Sequence, residues 1–349
     1  YTPLRNLSPE TLDKEAHLFP VKDALQYVPS SPLGLSGTGS QGADLWNAEN
    51  PAFGATFSLY LKDVESTLKS KRQKEEAKKE KDKEAVSYPT FDELREEDRE
   101  DKTKLIWIIR DAEGKEINRM MTSPKSGIQR VNWDLRMATT SPISLRKSST
   151  GRYSSPDVGL MVVPGTYSVE VVSVKDGEIK NLIEKTNFKV VGLNNQTLLA
   201  SNFDELVEFR ADISESKRKI DGAGQLLNET SEKLKYYEAA IKNYPNTDLT
   251  LLKEIEALKN QLEDCEVMRW GDGLKSSNEF ETKPSISGRI GTVYYQTFSN
   301  TTGITQTQRD NKKIAEEEYV AFRKKLDDAI IRLKAVEEKL SEVPVPYIK

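Results

Sequence analysis

From Ser201 onward the apolar residues return every seven positions. Leu206, Ile213, Ile220, Leu227, Leu234 and Ile241 hold one place in the repeat; Phe209, Ser216, Ala223, Thr230, Tyr237 and Tyr244 follow three residues later. Such spacing keeps one stripe on one side of a helix, the seam of a coiled-coil-like packing. Ser201 and Asp204 resemble a capping box at its start, and Pro245 ends it. A second helix carries Leu251, Ile255, Leu258, Leu262 and Cys265. A third, opened by Thr305 and Gln308, carries Tyr319, Phe322, Leu326, Ala329, Leu333, Val336 and Leu340. Each seam side chain gains about 1.5–3 kcal/mol on burial, so the seams are expected to pack together. The short link Asn243–Thr247 sets the first two helices antiparallel, and the long loop Arg269–Gly303 lets the third join. The pattern predicts a three-helix bundle over 200–343, with 344–349 as a tail.

Between Lys104 and Val191 the period is two. KLIWIIRDAEGKEINRMM reads as a hairpin turning at Ala112–Gly114, and LIWII, apolar on both faces, as a strand covered on both sides. In GIQRVNWDLR, Val131, Trp133 and Leu135 alternate with Arg130, Asn132 and Asp134. Asp176-Gly177 supplies the positive-φ turn of a further hairpin. AFGATFSLYL adds a strand whose Ala55, Phe57, Leu59 and Leu61 face one way. Short antiparallel strands joined by such turns predict an immunoglobulin- or fibronectin-like β-sandwich over 50–192, with Trp107 and Trp133 in its core. A helical insertion, 62–102, interrupts it. Its charge run Glu65–Ala85 favours helix but has almost no apolar stripe, so it reads as a solvated projection fraying at the tip. The fold class is therefore multidomain α+β.

At the N-terminus, Ser8 and Pro9 suit the start of a helix over Ser8–Phe19, and Pro29–Glu49 reads as irregular. Together 1–49 read as a docking segment and linker. Leu4, Leu7, Leu12, Leu18 and Phe19 are many apolar residues for a tail that neither predicted domain needs; with Arg5 beside them they are expected to dock on a partner.

Composition narrows the chemistry. Of 349 residues, 36% are hydrophobic and 31% charged, with a net charge of -4 drawn from runs of mixed sign, so no nucleic-acid-binding face is expected. One cysteine, Cys265, and one histidine, His17, make an internal disulfide impossible and predict no metal centre. No run is long enough to span a bilayer. The start at Tyr1, without Met or a signal core, suggests a processed chain or a piece of a longer one. GTGSQG at Gly37–Gly42 matches a dinucleotide fingerprint in letters but lacks the flanking strand and helix. DAEGKE at Asp111–Glu116 lacks calcium-loop spacing and reads as a turn. Cys265 falls on an apolar seam, where a free thiol is a small hydrophobe. Asp134 beside Trp133 reads as ordinary strand alternation. No catalytic residue, cofactor site or cofactor is predicted.

PLRNLSPETL…AHLFP, NPAFGATFSLYL, RDAEGKEI, GIQRVNWDLR, VPGTYSVEV and PSISGRIGTVYYQ…TQTQRD stand in an order that resembles the C-terminal region of large BNR-repeat, sortilin-like β-propeller proteins of Bacteroidota, often described as glycosyl-hydrolase-like. The predicted sandwich also resembles the Ig-like domain of flagellar hook-capping proteins. The resemblance implies a β-propeller preceding this chain, on the same or a separate polypeptide. It also implies export to the periplasm or cell surface and a partner among outer-membrane or cell-surface proteins. The function it implies is that of a non-catalytic accessory and interaction region; the alternative is part of a glycan-acting hydrolase whose catalytic residues lie mainly in the propeller.

Overall fold

The segment expected to be one helix over Ser8–Phe19 divides in two. Ser8 caps α2 (Pro9–Asp13), its hydroxyl accepting from the Thr11 N–H, and a shorter helix α1 (Thr2–Arg5) precedes it. The chain then extends as β1 (Ala16–Leu18), which pairs antiparallel with β3 (Ala55–Leu61). Pairing overrides the helical signal because it places Leu18 in the core and buries Phe19, whose N–H donates to the Ser58 carbonyl at 3.0 Å. The computed structural model describes residues 2–28, 50–145, 157–193, 198, 200–299 and 301–346, so GTGSQG and the segment read as irregular, 29–49, lie outside the described residues.

Contacts divide the chain into two units, Tyr1–Ala138 with Val162–Gln196, and Thr139–Met161 with Thr197–Lys349. The N-terminal segment thus belongs to the β-rich unit instead of standing apart, and 139–161 goes with the helical one.

Unit 1 mixes helices with two sheets. β1, β3 and β6 (Gly127–Trp133) form one; β2 (Ala24–Gln26), β8 (Glu178–Gly192), β7 (Gly165–Lys175), β4 (Lys104–Arg110) and β5 (Glu116–Thr122) form the other, which curls into a half-barrel. Neighbours run antiparallel except β2, which lies parallel on β8, so the expected all-antiparallel arrangement is corrected. The turns follow the sequence: Gly114, Asp176 and Gly177 all take positive φ. On β4 only Leu105, Trp107 and Ile109 are buried, while Ile106 and Ile108 are half-covered, so LIWII presents one core face where two were expected. One apolar cluster joins side chains of both sheets. Phe57 stacks on Trp107 at 5.7 Å and meets Phe188 edge-on at 5.3 Å, and Trp133 meets Tyr167 at 5.7 Å. The indole N–H groups find partners at the edge of this cluster: Trp133 donates to the Arg136 carbonyl at 2.8 Å and Trp107 to the Thr122 hydroxyl at 3.0 Å. After Trp133 the strand ends. Leu135 takes φ 58 and is fully buried, so GIQRVNWDLR is a strand closed by a turn that tucks its last apolar residue inside. Asp134 there is half-buried and accepts from the Arg136 N–H.

Unit 2 is helical. Its long helices are α5 (Phe203–Asn243), α6 (Leu251–Trp270), α8 (Ile286–Thr297) and α9 (Gln306–Ser341), with α7 (Gly273–Ser277) a single turn. The first cap is Asn202, whose side chain accepts from the Asp204 and Glu205 N–H groups; the Ser201 capping box is corrected by one residue. The Thr305–Gln308 capping box forms. Seam residues are buried along α5, α6 and α9, except Tyr244, which is the exposed C-cap, and Tyr319, which is half-buried with its hydroxyl donating to the Lys219 carbonyl.

The three-helix bundle needs one correction, because the expected loop Arg269–Gly303 contains α8. Cross-contacts show how it fits. Glu205, Asp212 and Lys219 meet Arg309, Lys312 and Tyr319 in ascending order, so α5 and α9 run parallel. Glu254, Gln261 and Asp264 meet Arg332, Asp328 and Lys325, so α6 runs against α9. Tyr294 and Thr297 of α8 meet Lys217 and Arg210, so α8 runs against α5 as α6 does. The unit is three columns, the middle one made of α6 followed by α8, broken at Gly271 (φ 96).

Replacing Trp133 by Ala is expected to cost about 3–5 kcal/mol in urea unfolding, as truncating a buried aromatic does. Gly54→Ala should also destabilise, since Gly54 sits at φ 114 and an added Cβ would overlap the Trp133 carbonyl. A Trp133→Ala loss under about 1 kcal/mol would contradict the core assignment.

Candidate interaction surfaces

The six residues expected to dock on a partner separate once folded. Leu18 and Phe19 are buried within unit 1 and are unavailable to any partner, because β1 supplies a strand that the sheet uses. Leu7 is half-buried, while Arg5 and Leu12 are exposed; the Leu4 side chain lies outside the described residues. The segment around them is pinned down: the Tyr60 hydroxyl donates to the Leu12 carbonyl at 3.1 Å, and Lys62 stands 3.6 Å from Asp13. Trp107, Trp133 and Cys265 are all fully buried.

The charged insertion folds as a hairpin of α3 (Leu68–Lys81) and α4 (Phe91–Arg99), and neither helix buries a side chain. Charge holds it in place of apolar contact. Arg72 grips Glu97 with two donors, at 2.5 and 2.9 Å, and Glu76 with a third at 2.7 Å. At the base, Glu100 accepts from the Leu68 N–H at 2.7 Å and pairs with Lys175 at 3.0 Å. Thr67 caps α3, and Thr90 with Glu93 forms a capping box on α4. The link between the helices carries Val86 and Tyr88, and Phe91 opens α4; the two rings are 83% and 75% exposed. Sequence patterning missed these residues because no period absorbs them. Apolar residues stranded in a charged run were the only signal.

A cavity of about 680 Å³ opens beside β2, where Tyr27 and Phe53 meet edge-on at 5.0 Å with Pro20, Asp23 and Arg130 around them. The third surface is the break between α6 and α8. Trp270, Leu274 and Phe280 are exposed there, beside a cavity of about 460 Å³ lined in part by Val267, Met268 and Ile286.

Candidate chemistry elsewhere resolves into structure. Asp111 in DAEGKE accepts from the Lys115 N–H, closing a hairpin turn. Cys265 lies on the α6 seam, and burial pushes its thiol up to about 11. His17 sits on β1 in the other unit, lowered by burial and then by Lys14. No group of three or more His, Cys, Asp or Glu among the described residues is placed to hold a metal ion, and no described helix is long and apolar enough to cross a membrane.

The chain is thus two units with buried apolar cores, and Tyr88, Phe91, Leu274 and Phe280 are among the apolar groups left exposed. No protein-family model matches this chain, and no curated protein or solved structure does either.

Two outcomes are expected. Cys265 should resist a thiol reagent at pH 8 in the folded chain and react fully on unfolding; rapid native labelling would contradict its burial. The hairpin should depend on pH through Glu97, whose carboxyl the Arg72 hydrogen bonds hold below the ordinary glutamate value of 4.5. A depressed carboxylate stabilises the fold above its unfolded pKa and loses that contribution as pH falls through the folded one. Amide protection in α3, corrected for intrinsic rate, should therefore hold at pH 6 and fall below pH 4.5 towards that of Arg72→Gln. A pH-independent profile would remove Arg72–Glu97 as the clasp.

Proposed function

We propose that this chain is a non-catalytic interaction region of an exported β-propeller protein, packing against the propeller and holding a partner at the cell envelope. On this reading unit 1 is an Ig-like sandwich, its two sheets closed on the aromatic cluster of Phe57, Trp107, Trp133 and Phe188. The order of the sequence motifs supports the propeller, and Arg5 and Leu12, exposed on a pinned segment, are the residues left to meet it. Export and an outer-membrane or cell-surface partner rest on the same motif order.

The observation that carries an interaction role is the hairpin tip. Val86, Tyr88 and Phe91 cost free energy in water and help neither core, while Arg72 and Glu97 clasp the stem that carries them. Large exposed apolar groups rimmed by charge mark contact surfaces, and tyrosine is enriched where such contacts are strongest.

Lysine cross-linking of the native envelope protein with mass spectrometry tests this. Links from Lys81 or Lys83 at the tip and from Lys14 near Leu12 should reach other polypeptide, with propeller sequence among the targets of Lys14. Tyr88→Ser combined with Phe91→Ser should remove the tip's links while leaving the melting temperature unchanged. Links confined to residues 1–349 would contradict the proposal.

A further inference from the structure

The break in the middle column of unit 2 offers more than a connection. Between Gly271 and Ser285 the chain leaves the column, makes the single turn α7, and returns. Along this excursion Trp270, Leu274 and Phe280 are 62%, 80% and 70% exposed. At its base lies the cavity of about 460 Å³, with Val267, Met268, Pro284, Ile286 and Ala321 in its wall. Projecting apolar groups and an apolar recess thus share one patch of surface.

A patch that carries both halves of a complementary pair matches itself under a twofold rotation, which is the geometry of an isologous contact. The rim fits the same operation. Around the cavity Asp272 pairs with Lys275 and Glu318 with Arg289 within the chain, and Glu281 and Lys283 stand beside them, so rotation can set acid against base on both sides. A surface of a single charge, such as an anionic bilayer, would meet as much repulsion as attraction there.

Arg269 adds a second, independent observation. It is only 8% exposed, its Nε has no hydrogen-bond partner, and its guanidinium lies over the Trp270 ring at 4.8 Å and against Gly224. Gly224 is required there, since an added Cβ would overlap the guanidinium. Arg269, packed inward, thus holds the exposed Trp270 ring in place where the excursion begins, and tryptophan is enriched in strong protein contacts.

We propose that two copies of this chain pair about a twofold axis through the column break, Leu274 and Phe280 of each entering the cavity of the other. The contact is separate from the hairpin tip, so it stands whether or not the propeller reading holds.

Sedimentation equilibrium on the 349-residue chain tests it. Wild type is expected at twice the chain mass at micromolar concentrations. Leu274→Asp with Phe280→Asp removes the projecting groups, and Ala321→Trp, at an exposed wall position, fills the recess; each should lower the association constant at least 100-fold with an unchanged melting temperature. If the double variant fails to fold, Ala321→Trp decides alone. A wild-type monomer at 100 µM, or a dimer that survives in a folded variant, overturns the proposal.

Discussion

Helical unit 2 depends on covering one stripe. α5 runs from Phe203 to Asn243, about 60 Å at 1.5 Å per residue, and its seam is apolar from Leu206 to Ile241. A single helix cannot bury its own stripe, so neighbours of equal length are needed. α9, with 36 residues, nearly matches it; α6, with 20, covers only half. The rest is covered by α8, whose Ile286, Ile290, Val293, Tyr294 and Thr297 are buried. Once the column is built from two helices, a seam between them and a chain excursion at the seam follow. The excursion, the exposed Trp270 and the adjacent cavity are consequences of that length mismatch.

How far the sequence showed this depends on how local each signal was. The sevenfold seam of α5 and the Thr305 capping box are local, and they appear where expected. The sequence hides α8 in the loop expected over Arg269–Gly303 although its buried residues recur at helical spacing, because Gly288, Gly291 and its short length weaken the pattern. The Ser8–Pro9 helix start is likewise real, but the fate of Ala16–Leu18 is decided by β3, some forty residues away, which no local pattern contains. Trp133 was legible as a core residue from alternation, whereas the reversal at Leu135 was not, because a positive φ at leucine is a tertiary outcome.

Surfaces were the least legible. Leu18 and Phe19 looked like docking groups only while β1 was unseen. Tyr88, Phe91, Leu274 and Phe280 are among the apolar residues left outside once the cores form, and which residues those are is knowable only after folding. The two units solve the same problem by different means. Unit 1 gathers aromatic rings between sheets and clasps its exposed hairpin by charge through Arg72; unit 2 covers a long stripe piecewise and leaves Trp270, Leu274 and Phe280 exposed at the joint.

In unit 2, α8 completes the column begun by α6. Hydrogen exchange resolved along unit 2 addresses it most directly, because protection follows packed helix and not connection. Slow exchange is expected over 251–270 and again over 286–297, comparable with the facing stretches of α5, and fast exchange over 272–284 between them. Exchange in 286–297 as fast as in 272–284 would mean that α8 does not cover the α5 stripe, and the three-column account would be contradicted.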